Sequence, residues 1–368
     1  MHSRVVKTVC PFCGVGCGMY LTSDGQGNVC GVAPEQDHPI SLGKLCEKGW
    51  SSVYAISPDN RIHHPLKRKR DRFIPISWDQ ALAEISTFLQ DILEESGPQA
   101  VGVISSARAT NEDNYAAQKF ARAVLKTNNV DHCARICHSP TVAGLKQVLG
   151  SGAMTNSTKD LFDTEVIVVF GADPTENHSV LGGQIIEAKL AGATLIVVDP
   201  RVTRLAKLAD IHLQLKPGTN IALINALLHE IISNDWHDRD FIDNRCDGFY
   251  ALKSNVEKIT PESVAEITGV DGPLIRQAAE RYSRANRAMI LYGMGITQFV
   301  SGTNNVIALA DLALICGHIG KPGTGINPLR GQNNVQGACD MGCLPNVYPG
   351  YQLADEADTQ QRFAAAWG

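Results

Sequence analysis

An α/β fold with doubly wound parallel sheets, preceded by a small module that a metal holds together, is predicted by three features of the sequence. Short runs such as Val166–Phe170 and Thr194–Val198 are apolar throughout, as strands covered on both faces must be. Stretches of helical spacing alternate with them. The first 65 residues, by contrast, are rich in Cys, Gly and Pro and carry little helical periodicity, so something other than a core must hold them.

Composition narrows the function classes. The chain has 368 residues, of which 44% are hydrophobic, 19% charged and 6% aromatic, which excludes a disordered, collagen-like or fibrous protein. Lys and Arg number 33 against 38 Asp and Glu, a net charge of -5, so no sequence-independent attraction to nucleic acid or anionic lipid is expected. No run approaches the roughly 18 apolar residues of a membrane span. The N-terminus has no apolar signal core, twin-arginine pair or transit-peptide character, and a cytoplasmic location is the expectation.

Taken in order, residues 1–65 read as the metal-held module and 66–368 as the α/β region, about two domains' worth. The basic stretch HHPLKRKRDR, ending at Arg72, reads as a solvated hairpin or linker in preference to an anion or partner surface. Ser77 with Gln80 forms a capping box before Ala81, Leu82, Ile85, Phe88, Leu89, Ile92 and Leu93, an amphipathic helix stopped by Gly97-Pro98. A buried strand is expected over Ala100–Ser106 and a helix over Asn111–Lys126. Further strands are expected over 166–170, 194–198 and 289–292, and helices over 180–191, 221–233, after Asp271-Gly272-Pro273, over 304–318 and over 360–367. Gly323–Gly350 reads as loop.

Chemistry concentrates first in the cysteines. Cys10, Cys13 and Cys17 form CxxCxxxC on a Gly-rich turn, and Cys46 is a remote fourth thiol. Four soft ligands suit zinc or an iron-sulfur cluster, but three on one turn favour a loop wrapped around a bulky cluster over paired zinc knuckles. Gly14, Gly16 and Gly18 let backbone approach inorganic sulfide. Cys30 is a competing ligand, disfavoured because Lys48 follows Cys46 closely and can stabilise a reduced cluster.

Cys137 and His138 stand side by side in CARICHSPTVAGL. A hydrolytic Cys-His pair is disfavoured, since neighbours on extended chain point to opposite faces; a buried structural pair and a thiolate facing a metal-bearing cavity remain open. The strand-terminal loops Gly171–His178, Asp199-Pro200-Arg201, Lys216–Asn220 and Gly293–Gln298 recur where α/β folds bind nucleotides, and no GxGxxG is present. Their recurrence suggests one large nucleotide-like ligand. The glycine- and amide-rich segment around Arg330, Gln332, Asn333, Asn334 and Gln336 suits bidentate grip of a small carboxylate.

With these residues in hand, the sequence closely resembles the catalytic subunit of molybdenum- or tungsten-dependent formate dehydrogenases, in the bis-molybdopterin guanine dinucleotide oxidoreductase family. CPFCGVGC with LCEKG resembles the family's cluster module, ARICHSPTVAGL its active-site segment and NPLRGQNNVQGACDMG its substrate loop. The resemblance implies that Cys10, Cys13, Cys17 and Cys46 bind a 4Fe-4S cluster, that Lys48 lies on the electron path to the pterin, and that Cys137 ligates Mo or W. It implies His138 as proton acceptor, Arg330 as the group orienting formate, and Gln332 in the same pocket. Pterin and guanosine contacts are implied for Gly171, Asp173, Glu176, Asn177, His178, Asp199, Pro200, Arg201, Pro217, Gly218, Asn220, Gly293, Met294, Gly295, Gln298, Gly323 and Gly331. The implied reaction interconverts formate and CO2, with electrons leaving to an iron-sulfur subunit, a ferredoxin-like partner or a hydrogenase-type partner. The family's chain continues into the rest of an α/β domain and a C-terminal β-barrel, so the expectation is an N-terminal portion without the barrel, or a chain completed by another. The alternatives are a non-catalytic iron-sulfur electron-transfer module and a nitrate reductase-like member, the latter disfavoured by the Cys-His pair and the RGQNN loop.

Overall fold

Three short strands open the chain: β1 (Arg4–Val9), β2 (Gly18–Ser23) and β3 (Val29–Pro34), an antiparallel sheet whose first strand is almost wholly exposed. The structure, a computed structural model, describes residues 3–56 and 61–368. Beneath the sheet lies a small core of Cys10, Cys17 and Met19 closed by Val180 from the main body, too little to hold the module by apolar burial alone. The short helices Glu47–Trp50 and Ser52–Ile56 follow.

The basic stretch folds as an antiparallel hairpin of β4 (Leu66–Lys69) and β5 (Arg72–Pro75). Ser77 caps the helix Trp78–Ser96, its hydroxyl accepting from Gln80 N at 3.1 Å. The expected box is only half formed, because the Gln80 side chain donates to Glu84 at 3.0 Å instead of reaching back. Leu82, Ile85 and Phe88 are exposed, and Ala81 is the one buried residue of that helix.

The buried strand expected over Ala100–Ser106 shrinks to β6 (Val103–Ile104), paired in parallel with β7 (Val130–Asp131). Ile104 is 93% exposed, since this two-stranded sheet has no further neighbour to cover it. The helix expected to Lys126 is α-helical over Asn111–Lys119, with a full capping box between Thr110 and Asp113, and passes into a π-turn at Phe120–Val124.

The apolar runs build the main sheet from β8 (Val166–Phe170), β9 (Thr194–Val198), β10 (Ile211–Leu213), β11 (Ala288–Tyr292) and β12 (Gly325–Pro328), all parallel in the order β10-β9-β8-β11-β12. Alternation shows why these strands have no polar face. Val166, Val168 and Phe170 enter one core with Ile196, Val198, Ile290 and Tyr292, against helices Asn220–Ser233, Gly272–Ser283 and Gly302–Ile315. Ile167 and Val169 enter the other with Leu195, Val197, Met289 and Leu291, against Ser179–Leu190. The chain leaves β8 toward β9 and β10, then returns to the far side of β8 for β11. The crevice between the ends of β8 and β11 is thus a topological switch point.

The segment Gly323–Gly350 departs from the loop expectation. It holds the fully buried edge strand β12 and the helix Val335–Asp340. The sequence Gly-Ile-Asn-Pro hides a strand because half of its positions are conformational punctuators; Thr155 Oγ1 accepts from Ile326 N at 2.9 Å and supports the edge. Among the described residues no helix is long and apolar enough to cross a membrane.

Two expectations follow. Ile290→Ala, in the sheet's centre, costs about 2–5 kcal/mol in denaturant unfolding, while Ile85→Ala on the exposed helix face stays within about 0.5 kcal/mol; equal losses would deny that the sheet carries the stability. His318 is buried with Nε2 donating to Tyr282 O at 3.0 Å. Burial pushes its pKa from 6.5 down to about 4, against the opposing pull of that hydrogen bond. The unfolded chain therefore binds the extra proton between these values, and this stability is complete above pH 6.5 and lost as pH falls toward 4. Urea midpoints at pH 7 and pH 5 should fall less in His318→Gln than in the parent chain.

Candidate active site

At the switch point the strand ends nearly touch. Gly295 N donates to Gly171 O at 2.9 Å and Gly293 N to Phe170 O at 3.1 Å. Gly171 has φ +57°, and a Cβ there would stand 2.7 Å from the Gly295 carbonyl carbon, so the crevice admits only glycine. Around it opens a cleft of about 490 Å³. From the strand-end loops come Gly171, Asp173, Asn177, His178, Asp199, Pro200, Arg201, Pro217, Asn220, Gly293, Met294 and Gly295; Cys13, Lys48, Cys137, Gly331 and Gln332 complete the wall. These expected residues lie far apart in sequence and share one cavity.

The loops are fixed by bonds within themselves and to one another. Asp199, 3% exposed, accepts from Arg201 N at 2.8 Å and Nε at 3.3 Å. Asp173 accepts from Thr175 Oγ1 at 2.6 Å, and Asn220 Nδ2 donates to Gly295 O at 3.4 Å. Glu176, Gly218 and Gln298 sit on the same loops without lining the cleft, and Gln298 Nε2 instead donates to Ile136 O at 2.6 Å. Gly323 lies elsewhere, packed beside Asp163 and Arg287.

Cys137 is held through its backbone, its carbonyl accepting from Thr297 Oγ1 at 2.5 Å and its N–H donating to Ala134 O at 3.1 Å. Burial pushes its thiol up, the nearby Cys133 adds to this, and Arg330 and the Gly331 N–H pull it down. His138 follows at once but faces away from the cleft, fully buried. Its Nε2 donates to Leu329 O at 3.0 Å, and its Nδ1 accepts from Thr141 Oγ1 at 3.0 Å, which in turn accepts from Tyr292 Oη at 3.0 Å. Burial first, and Arg330 second, push His138 down to about 3, so the ring is neutral. Arg330 does not line the cleft either. With His138 it borders a separate chamber of about 220 Å³, its Nη2 donating to Gly152 O at 2.7 Å and Nη1 to His138 O at 3.5 Å.

The four expected cluster cysteines surround a second cavity. Cys10 and Cys17 are buried, Cys13 and Cys46 half-buried, and Cys10 N donates to Cys17 O at 2.8 Å. Cys30 lies outside it, exposed, its thiol donating to Thr22 O at 3.4 Å. Burial and the other thiols raise Cys17 to about 12. Four thiols crowded in a poorly solvated cavity become ligands only with a cationic group among them. The donor set fits an iron-sulfur group. Phe12, Cys13, Lys48 and Asn177 line both cavities and form the partition between them.

Sequence reasoning missed Arg108, Phe299 and Leu215 on the cleft wall. Arg108 Nη1 donates to Pro11 O at 3.3 Å and Phe12 O at 3.1 Å, tying the cluster loop to the cleft. Its signal was its place in a loop just after β6, at a strand end like the others.

The molybdopterin oxidoreductase Fe4S4 domain family matches residues 3–57, and the molybdopterin oxidoreductase family residues 61–366. The chain is 50% identical over 367 residues to the F420-dependent formate dehydrogenase 1 subunit alpha of Methanococcus maripaludis, covering 100% of this chain and 53% of that protein. It is 45% identical over 374 residues to formate dehydrogenase H of Escherichia coli, covering 99% and 52%. The solved acetylene hydratase of Pelobacter acetylenicus superposes with a TM-score of 0.76 at 28% identity, over 87% of this chain and 44% of that one. The chain thus spans about half the length of the curated relatives it matches. With four thiols around one cavity and strand-end loops around the next, it belongs to the molybdopterin oxidoreductase family, its Fe4S4 domain leading and a molybdopterin-binding region following.

Proposed function

We propose that the chain carries the catalytic centre of a formate dehydrogenase, interconverting formate and CO2. The observation that carries this reading is the placement of Cys137 on the wall of the cleft, with the Arg330 chamber beside it and the cluster cavity across the Lys48 partition. The relatives named as formate dehydrogenases support it. A bis-molybdopterin guanine dinucleotide carrying Mo or W supplies a two-electron acceptor, and a 4Fe-4S cluster a one-electron carrier. Cys10, Cys13, Cys17 and Cys46 would hold the cluster and Cys137 the metal, with the strand-end loops around pterin and guanosine.

The chain's own residues then have definable tasks. Arg330 has spent two of its five N–H donors on Gly152 O and His138 O, leaving three to grip a carboxylate from a fixed position. His138, neutral because burial holds it at about 3, can take a proton only at Nδ1, by displacing the Thr141 hydroxyl. Lys48, in the partition, favours the reduced, more anionic form of a cluster. Electrons would leave to an iron-sulfur subunit, a ferredoxin-like protein or a hydrogenase-type partner. One rival reading is an electron-transfer module that keeps the cluster but no pterin. Counting metals in anaerobically purified protein separates the two: about four Fe with stoichiometric Mo or W supports the enzyme, and Fe alone the module.

Cys137→Ala should abolish formate-dependent dye reduction while leaving the cluster's visible absorbance intact; retained turnover would remove Cys137 from the metal. Arg330→Lys keeps the charge but loses the planar fork, and should raise KM for formate roughly tenfold or more. An unchanged KM would place the anion elsewhere.

A further inference from the structure

The Arg330–Gly331 backbone is gripped by two groups that belong to neither the substrate loop nor the Arg330 chamber. From the cluster loop, Gly14 N donates to Gly331 O at 3.2 Å. A Cβ on Gly14 would land on the Arg330 carbonyl oxygen, with the carbonyl carbon 3.0 Å away and Arg330 Cβ 3.2 Å away. Gly14 is not among the positive-φ glycines, so the demand there is for space and not for a special conformation. From the corner after β8, His178 Nε2 donates to Arg330 O at 2.6 Å. Burial keeps that imidazole neutral, which fixes its one ring proton on the nitrogen that donates.

We infer that Gly14 and His178 are positioning residues for Arg330, so that filling the cluster cavity also sets the site that holds the substrate anion. The inference rests on Arg330 binding formate, as proposed above. Gly14 follows Cys13 directly and precedes Cys17 by three residues, so ligation of those thiols fixes the N–H that holds Gly331. The module's small core offers little else to hold that loop. Displacing a substrate-orienting group by about 1 Å costs on the order of a hundredfold in rate, so a methyl group at Gly14 has leverage out of proportion to its size.

The test compares Gly14→Ala, His178→Ala and His178→Gln in the full chain, with Gly31→Ala, whose Cβ meets only Thr22 at 3.5 Å, as the control within the same module. Three quantities are read: iron per chain, KM against kcat for formate, and hydrogen exchange over residues 329–334. Gly14→Ala and His178→Ala should keep their iron yet raise KM roughly tenfold or more, with faster exchange in the loop. His178→Gln should restore the parent's slow exchange in the loop, because its amide nitrogen can still donate to the Arg330 carbonyl, and Gly31→Ala should match the parent. Unchanged KM and exchange in Gly14→Ala and His178→Ala, with iron retained, would overturn the inference. If Gly14→Ala loses iron, the His178 pair decides alone. If the parent chain turns over no formate, the function fails but the coupling is still decided: stripping iron from the parent with a chelator should speed exchange over residues 329–334, and no change would refute it.

Discussion

The site depends on one close approach, the meeting of Gly171 and Gly295 where β8 and β11 end side by side. Parallel pairing of these two strands in register, Phe170 beside Tyr292, brings the two following turns to the same height above the sheet. Without side chains the turns stack, and Gly295 donates to Gly171 O. That contact sets the short helix Met294–Thr297, whose Thr297 hydroxyl holds the Cys137 carbonyl. Position thus passes from sheet register, through two glycines and a threonine, to the cysteine on the cleft wall.

The two halves of the site are stabilised by different physics. The main sheet buries apolar side chains on both faces and needs nothing bound to keep its shape. The N-terminal module buries little besides cysteines, and its thiols repel one another once ionised. It leans on the body through Gly14 on Gly331, Arg108 on Pro11 and Phe12, and Val180 in its core. A group bound among the thiols would stabilise the folded module by mass action, as any ligand of the native state does. The part of the chain with the least core is therefore the part whose order is most tied to its metal.

Much of this was legible in the sequence because the decisive residues are also the locally unusual ones. Strands buried on both faces show as unbroken Val, Ile and Leu, and β8 and β9 match their expected limits for that reason. The strand-end loops announced themselves by glycine or an acidic residue after each strand. What was not legible depends on partners. Residues 100–106 have the composition of a buried strand, but β6 has only β7 beside it, and the strand stops after two residues. In β12 the reverse holds, since Gly-Ile-Asn-Pro has no strand signature and becomes one only because β11 lies alongside. Arg108 was silent because its role is set by carbonyls almost a hundred positions away.

The division between Cys137 and His138 shows how far local geometry reaches into chemistry. Adjacent in sequence, they face different cavities, the thiol toward the large cleft and the imidazole toward the Arg330 chamber. Their electrostatics diverge accordingly. Burial raises the thiol, and Arg330 and the Gly331 amide offset only part of that rise. For His138 burial and Arg330 act in the same direction and keep the ring neutral. One guanidinium thus acts on both neighbours with the same sign, lowering the proton affinity of the thiol against its burial and of the imidazole along with it. The backbone clamp on Arg330 matters for both residues, since moving that charge would change the thiol and the imidazole together.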